Sequence, residues 1–500
     1  MSLKRNIFAN YISQMYVTLV GIVLVPLYMK YMGAEAYGLV GFFTVLQSWF
    51  ALLDMGLTQT ISRETARYRG GITSALQYRQ LFRGLSLVFV GIALLGGGGL
   101  WQVSDFVATR WLNVKEIAQD EVILAVQIMC VSVALRWMGG LYRGVVTGSE
   151  QLVWMSSFNA VIATLRFVVV FASMSLFGFT PFVFFLHQLV VAVFEILGLV
   201  LMAYRLLPAH HTLGGSIGLS FKPIQPLLKF ALTIAFTSSV WVLVTQSDKL
   251  VLSGILPLAE YGYFTLAVLV ASGVTVISAP ITSAVMPRMT RLYAEAKHVE
   301  LVRVYRKSSR LVSTIAGSAA ITIAFCAEHL LFAWTGSNDL AVRAAPILKL
   351  YALGNGLLAV CAFPYYMQYA KGTLRYHLIG NGVLVVLLVP SIVYAASRFG
   401  GEGAGWVWLG MNAFYLFTWL AYVHGKIEPG LHLPWIFKDV LLSFVPSLLV
   451  VLAATQFKFE PYARIQSLGY VAAVGIAAIL FSFLSERIVM FARLKVAGDE

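Results

Sequence analysis

The chain has 500 residues, of which 59% are hydrophobic and only 12% are charged, whereas soluble globular proteins carry about 25% charged residues. Its apolar runs are about 20 residues long, which indicates membrane-spanning helices and excludes a β-barrel built from alternating segments of about 10 residues. The net charge of +14 lies mainly in short loops between these runs, so it indicates membrane topology and excludes a nucleic-acid-binding surface.

Taken in chain order, the apolar runs predict an all-α polytopic membrane protein with about fourteen transmembrane helices. The first run is too long for the core of a signal peptide, so we expect it to remain as a helix. An even number of spans places both termini on one side of the membrane. Most of the 36 Lys and Arg residues fall in loops on that side, which indicates that both termini are cytoplasmic. The predicted spans are 11–31, 39–55, 84–101, 121–142, 152–176, 179–203, 230–256, 261–286, 311–331, 344–366, 378–396, 405–423, 440–455 and 465–484.

Two similar turns, 34–38 and 257–262, indicate an internal duplication, and their Tyr-Gly steps are 224 residues apart. At the same offset Arg67 falls on Arg291 and Gly148 on Gly372. Internal symmetry of this kind is typical of secondary transporters. The sequence therefore predicts two pseudo-symmetric six-helix lobes, with the following segments: an N-terminal lobe (1–203), a cytoplasmic linker (204–229), a C-terminal lobe (230–425), and an extra helix pair with a cytoplasmic tail (426–500).

A small set of polar and charged residues interrupts the apolar spans. An ionised side chain at bilayer depth costs at least about 2.5 kcal/mol unless it is paired or faces water, so each such residue is a candidate functional residue. The set comprises Arg136 in the fourth span, Asn159 and Arg166 in the fifth, Glu195 in the sixth, Asp248 and Lys249 in the seventh, and Lys349 in the tenth.

Structural roles are alternatives for several of these residues. Lys349 lies near a span end, where its long side chain can reach the interface. Glu195 can form a structural ion pair with Arg136 or Arg166 on a neighbouring helix. Asp248 and Lys249 are adjacent in a helix, so their side chains point about 100° apart and each is expected to need another partner.

Together, these residues predict a cationic, water-filled cavity between the lobes. Such a cavity suits a polyanionic head group, because arginine side chains bind phosphate oxygens through two parallel hydrogen bonds. The predicted substrate-binding residues are Arg136, Arg166, Lys249, Lys349 and Asn159. Buried carboxylates can also take up and release protons, which makes Glu195 and Asp248 the candidates for coupling-ion binding.

Enzyme motifs are not found in the sequence. It contains no nucleotide-binding Walker motif, no zinc-binding HExxH motif and no Gly-x-Ser-x-Gly nucleophile motif. We therefore expect no catalytic residues, no metal site and no cofactor. A membrane glycan polymerase or ligase is an alternative from another class, but the longest predicted outer loop, 102–120, is short for a catalytic domain.

Several short stretches resemble Wzx-type oligosaccharide flippases, which move O-antigen and other polysaccharide repeat units, and which belong to the MATE-like MOP exporter superfamily. The resemblance spans nearly the whole chain, although its motifs are partly shared across the superfamily. The stretches that carry it are 10–14, 25–28, 33–38, 53–57, Tyr142-Arg143-Gly144 with Gly148, and 246–249 with 260–263.

This resemblance implies two six-helix lobes that work by alternating access. The implied cargo is an undecaprenyl-pyrophosphate-linked oligosaccharide, which crosses from the inner to the outer leaflet of the bacterial cytoplasmic (inner) membrane during synthesis of lipopolysaccharide O-antigen, capsule or exopolysaccharide. Membrane lipids and the polysaccharide polymerase machinery are the implied partners, and a proton or sodium gradient is the implied energy source.

Two related functions remain as alternatives. A count of fourteen spans is similar to that of the peptidoglycan-precursor flippases. Those proteins typically carry arginines in the first span, but no arginine occurs here between Arg5 and Arg63. A lipid II cargo is therefore disfavoured. A MATE-type cation-coupled drug antiporter would be expected to present carboxylates to its cavity in place of arginines.

Overall fold

The computed structural model describes residues 3–209, 215, 217–218, 225–456 and 463–498. Within these ranges the secondary structure is helical, and strand-like pairing is limited to an isolated bridge between Asn113 and Pro257. The prediction of an all-α polytopic membrane protein is confirmed. Twelve of the 26 residues of the predicted linker, among them His210 and His211, lie outside the described residues.

The chain divides into two compact units, Met1–Gly262 and Tyr263–Glu500. The first unit contains the helices α1 Leu3–Val23, α2 Val25–Met32, α3 Ala34–Phe50, α4 Leu57–Arg69, α5 Ala75–Gln102, α6 Ser104–Phe106, α7 Gln119–Gly148, α8 Leu152–Thr164, α9 Val170–Phe177, α10 Pro181–Leu206 and α11 Gln225–Ile255.

Helix α12, Leu258–Ala294, begins in the first unit and continues into the second. The helices that follow are α13 His298–Phe325, α14 Ala327–Thr335, α15 Asn338–Ala370, α16 Arg375–Phe414, α17 Leu420–Ile427, α18 His432–Trp435, α19 Leu442–Gln456 and α20 Arg464–Gly498.

Helix α11 belongs to the first unit because it packs against α3 and α4. The division at Gly262 therefore differs from the lobe boundaries suggested by the sequence, which placed this helix at the start of the second lobe. Those lobe boundaries stay a prediction.

Twelve helical segments among the described residues are long and apolar enough to cross a membrane. One of them, Arg375–Ile427, covers 53 residues and is bent at Gly400, where φ is +60° and ψ is −143°. A residue with a Cβ rarely adopts this conformation, so glycine permits the bend within an apolar stretch. The number of fourteen spans stays a prediction.

The two turns that suggested a duplication pack directly against each other in the first unit. An ideal Cβ placed on Gly38 would lie 2.2 Å from the carbonyl oxygen of Leu258. One placed on Gly262 would lie 2.5 Å from the carbonyl oxygen of Ala34. Glycine is therefore required at both positions, because any side chain would separate the two helix starts.

Glu35 holds a neighbouring loop against the same turns. Its buried carboxylate accepts hydrogen bonds from the backbone N–H groups of Lys115 at 2.5 Å, Glu116 at 2.7 Å and Ile117 at 3.0 Å. The same loop presents the carbonyl of Asn113 to the N–H of Leu258 at 2.9 Å. These four backbone N–H groups are thus satisfied within the protein, as a membrane protein requires.

The second unit is centred on α13, which packs against α15, α19 and α20. A π-helical turn, Ile436–Leu441, places Asp439 against α13, where it pairs with Arg306 at 2.6 Å and also with Arg310. The Asp439 side chain is fully buried, so both arginines are needed to offset the loss of water around its charge.

Candidate functional site

Arg166 lies in a π-helical turn, Leu165–Val169, between α8 and α9. Such a turn frees backbone carbonyls from the regular helical hydrogen bonds, and isolated π-helical turns are frequent at functional sites. Two adjacent side chains of α10 satisfy the freed groups. His187 binds the carbonyl of Leu165 at 2.9 Å, and Gln188 donates to the carbonyl of Arg166 at 2.9 Å.

The tautomer of His187 follows from its two partners. Its Nε2 faces a carbonyl, which can only accept, so Nε2 carries the hydrogen. Its Nδ1 then accepts from the hydroxyl of Ser173 at 2.8 Å. The side chain thus ties α10 to both the π-helical turn and α9, which fixes the position of Arg166.

Arg136 of α7 is held by two glutamines. Its guanidinium donates to Gln47 Oε1 at 3.1 Å and to Gln188 Oε1 at 2.8 Å, and it lies 5.1 Å from the ring centroid of Phe43. Gln188 is buried and connects Arg136 to the backbone of Arg166. The two arginines are thereby joined through one amide side chain.

Arg143 lies two turns further along α7 and forms an ion pair with Glu195 of α10. It also donates to Asn159 Oδ1 at 2.8 Å. Glu195 is 7% exposed and Arg143 is 31% exposed, so this pair has one buried and one more accessible end. Arg166 and Arg136 both lie within electrostatic range of Glu195.

These residues form one arginine cluster inside the first unit. Three arginines face a single carboxylate, so the cluster carries a net positive charge. Three buried atoms in it have no hydrogen-bond partner among the described residues: Nε of Arg136, Nε of Arg166 and Oε2 of Glu195. Buried polar atoms are rarely left unpaired in native proteins, so unpaired donors and acceptors mark a place where a ligand or water can bind. The cluster comprises Gln47, Arg136, Arg143, Asn159, Arg166, Gln188 and Glu195.

The structure brings together four of the residues proposed from the sequence: Arg136, Asn159, Arg166 and Glu195. It changes one expected pairing, because the ion-pair partner of Glu195 is Arg143, whereas the sequence suggested Arg136 or Arg166. Arg143 entered the sequence analysis only as part of the Tyr142-Arg143-Gly144 stretch, and its role as an ion-pair partner was missed.

Asp248 and Lys249 lie on α11 in the same unit. Asp248 is 2% exposed, and the amine of Lys249 lies 3.6 Å from its Oδ1. The amine also donates to the carbonyl of Thr245 at 2.6 Å. The expectation that the two side chains point apart was wrong in this respect, because the flexible lysine stem turns back toward its neighbour.

Lys349 belongs to the second unit and lies on α15. Its side chain is exposed, and its amine lies 5.0 Å from the ring centroid of Phe325. An exposed lysine against an aromatic ring is typical of a side chain that reaches toward an interface. Among the described residues, no cluster of three or more metal-ligating side chains is found.

Comparison with known proteins identifies relatives over much of the chain. Residues 3–293 match the family of polysaccharide biosynthesis proteins. The chain is 19% identical over 412 residues to a Shigella flexneri protein described as "Putative O-antigen transporter", covering 82% of this chain and 94% of that protein.

Solved structures with a similar fold include the lipid II flippase MurJ in an inward closed conformation. The TM-score is 0.73 with 13% sequence identity, covering 96% of this chain and 99% of that one. An inward-facing multidrug resistance MATE family transporter of the MOP superfamily gives a TM-score of 0.66 with 15% identity, covering 89% of this chain and 96% of that one. The family match and the similarity to the O-antigen transporter confirm the resemblance to Wzx-type flippases, and the solved structures show that the fold is similar to that of the MurJ and MATE proteins.

Proposed function

Since the chain belongs to the family of polysaccharide biosynthesis proteins, we propose that it moves an oligosaccharide linked to undecaprenyl pyrophosphate from the inner to the outer leaflet of a bacterial cytoplasmic membrane. It is a multi-pass membrane transporter. In this proposal both termini are cytoplasmic, and the cargo serves O-antigen, capsule or exopolysaccharide synthesis. The polysaccharide polymerase would take up the cargo on the outer side.

The arginine cluster is the observation that carries this proposal. A sugar head group with a pyrophosphate cannot cross hydrocarbon without substitutes for its lost water, because each unpaired polar group costs several kcal/mol. Arg136 and Arg166 supply buried N–H donors that other described residues leave unpaired. Guanidinium groups match phosphate oxygens in geometry as well as in charge.

The uncharged side chains of the cluster can form hydrogen bonds with the sugar part of the cargo. Gln47, Gln188 and Asn159 present amide groups beside the arginines. Amides both donate and accept hydrogen bonds, as sugar hydroxyls do, so they can replace water around the glycan. The roles of Lys249 and Lys349 in cargo binding stay predictions.

Glu195 and Asp248 are proposed as the coupling residues. Glu195 has one oxygen paired with Arg143 and a second buried oxygen without a partner among the described residues. A proton or a sodium ion at that second oxygen would neutralise the carboxylate and release Arg143 for the cargo. Asp248 is buried beside Lys249, and uptake of a proton would neutralise its carboxylate.

A drug antiporter of the MATE type is the second candidate, because a MATE transporter is among the proteins of similar fold. The cluster argues against it. A cationic drug would be repelled by three arginines that face one carboxylate.

The test is an export assay in a strain that lacks the gene. The strain should accumulate lipid-linked glycan on the inner leaflet, and the wild-type gene should restore surface polysaccharide. Arg166→Ala should restore little surface polysaccharide despite normal membrane insertion, and Arg166→Lys should restore part of it. Arg110→Ala is the matched control, because Arg110 is exposed in the same unit and lies outside the cluster. Full export by Arg166→Ala would refute the proposed role of the cluster.

A further inference from the structure

A cleft of about 470 Å³ lies between α4 and α7 in the first unit. It is separate in position from the core of the arginine cluster, but Arg143 lines it. Seven of its ten lining residues have polar side chains, while apolar atoms make up most of its surface. The lining residues are Thr58, Gln59, Ser62, Arg63, Ala66, Arg143, Gly144, Thr147, Gly148 and Glu150.

Close packing fixes the walls of this cleft. An ideal Cβ on Gly148 would lie 2.2 Å from the carbonyl oxygen of Ser62, and one on Gly144 would lie 2.4 Å from a methyl carbon of Ile61. The backbones of α4 and α7 therefore meet at van der Waals distance along this glycine face. A cleft beside such a contact keeps its width, since neither helix can approach further.

Two arginines contribute the charge of the cleft, one from each wall. Arg63 is exposed on α4, and Arg143 is half-buried on α7. The lining also offers the hydroxyls of Ser62 and Thr147 and the amide of Gln59. Arginine forks with nearby hydroxyl and amide donors are the groups that bind phosphate in proteins.

Arg143 is oriented before any ligand arrives. Its contacts with Asn159, Glu195 and the sulfur of Met155 use at most three of its five N–H groups. At least two N–H groups therefore remain for an anion in the cleft. Because Asn159 and Glu195 already hold the guanidinium, binding requires little further loss of side-chain freedom.

Glu150 is the carboxylate of the lining. It follows the end of α7 and has a positive φ of 59°, so its backbone ends the helix there. A carboxylate near two arginines weakens anion binding by repulsion. Removal of the Glu150 charge should therefore raise the affinity for phosphate, whereas removal of either arginine should lower it.

We propose that this cleft is a binding site for the phosphate groups of a lipid-borne pyrophosphate, with Arg63 and Arg143 as the paired ligands. The inference rests on the proposed function and adds a second head-group site beside the arginine cluster. Arg143 belongs to both, so a head group in the cleft already contacts one residue of the cluster. A free phosphate or pyrophosphate shares this chemistry, and the experiment distinguishes the two sources.

The experiment measures binding to the full-length protein in lipid nanodiscs. The probes are undecaprenyl pyrophosphate, undecaprenol as the uncharged comparison, and inorganic pyrophosphate as a soluble competitor. Arg63→Gln and Arg143→Lys should each weaken binding of undecaprenyl pyrophosphate about tenfold, because a charge-assisted hydrogen bond is lost or loses its forked geometry. Glu150→Gln should strengthen it severalfold. Arg69→Gln, an exposed charge change on the same helix outside the cleft, should leave it unchanged.

Each outcome has a defined meaning. If wild-type protein binds undecaprenyl pyrophosphate no better than undecaprenol, both the proposed pyrophosphate cargo and this site are wrong. If wild-type protein and Arg63→Gln bind it equally while Arg166→Ala loses binding, the proposed function stands and the cleft is refuted. If inorganic pyrophosphate binds as tightly as the lipid, and Arg63→Gln abolishes its binding, the lipid source is refuted in favour of a free phosphate. Thermal melting of Arg63→Gln close to that of wild type excludes misfolding as the cause of any loss.

Discussion

Arg143 on α7 and Glu195 on α10 form an ion pair in which the carboxylate is buried and the guanidinium reaches a cleft. A single side chain thus belongs to the arginine cluster and to the proposed phosphate site. The remaining oxygen of Glu195 is buried without a partner among the described residues. This arrangement allows neutralisation of one carboxylate to change how strongly an arginine attracts an anionic cargo.

Removal of only one member of this pair should destabilise the protein. Arg143→Met removes the direct ion-pair partner of the buried Glu195 carboxylate, and the expected loss is about 1–3 kcal/mol. The double variant Arg143→Met with Glu195→Leu should recover much of it, because an ion pair can be replaced by apolar side chains at little cost.

Thermal unfolding of the detergent-purified protein measures both variants. Arg110→Met is the control for loss of an exposed arginine in the same unit. If the double variant melts lower than Arg143→Met alone, the buried charge is not the cause of the instability.

Enlargement of Gly38 should separate the two packed turns of the first unit. Gly38→Ala places a methyl group where the carbonyl oxygen of Leu258 lies, 2.2 Å from the ideal Cβ position. Overpacking of this kind typically costs about 1–3 kcal/mol, so the melting temperature should fall.

Gly91→Ala is the matched control for this change, because Gly91 is also helical and an added Cβ there would contact nothing within 4 Å. It should be neutral or slightly stabilising, since alanine favours helix more than glycine does. Equal melting temperatures for the two variants would contradict the close approach of the turns.

The buried carboxylate of Asp439 should be essential to the second unit. It pairs with both Arg306 and Arg310 and is fully buried. Asp439→Asn leaves two arginines without their counter-charge. Loss of one partner of a buried ion pair costs about 3–5 kcal/mol of folding free energy. Because both arginines are partly exposed, we expect a loss at the lower end of this range.

Asp339→Asn serves as the comparison, because Asp339 pairs with Arg343 at 3.0 Å where both side chains are exposed. A surface pair of this kind contributes about 0–1 kcal/mol. Limited proteolysis and thermal melting should therefore separate the two variants clearly. Similar behaviour of both would mean that Asp439 does not hold the second unit together.

Much of the fold could be predicted from the sequence, because hydrophobic length directly determines which segments can span a membrane. The same reasoning identified Arg136, Arg166 and Glu195, since a charge within an apolar run is visible without a structure. It also identified Asn159 as a polar residue in the same span as Arg166.

The remaining parts of the cluster could not be predicted from the sequence. Gln47 and Gln188 are uncharged amides, and they scarcely change the hydropathy of their spans. The choice of Arg143 as the partner of Glu195 depends on how α7 and α10 pack, which spacing along one helix does not determine. The π-helical turn at Arg166 leaves no mark in composition, so the supporting role of His187 was also missed.

The most direct test of the central claim is transfer of a fluorescent oligosaccharide linked to undecaprenyl pyrophosphate across vesicles that contain the purified protein. The fraction of cargo exposed to a membrane-impermeant quencher reports movement between leaflets. We predict that wild-type protein and Arg110→Ala move the cargo, and that Arg136→Ala and Arg166→Ala reduce the rate at least tenfold while each remains folded and inserted. Equal rates for wild-type protein and both cluster variants would contradict the account.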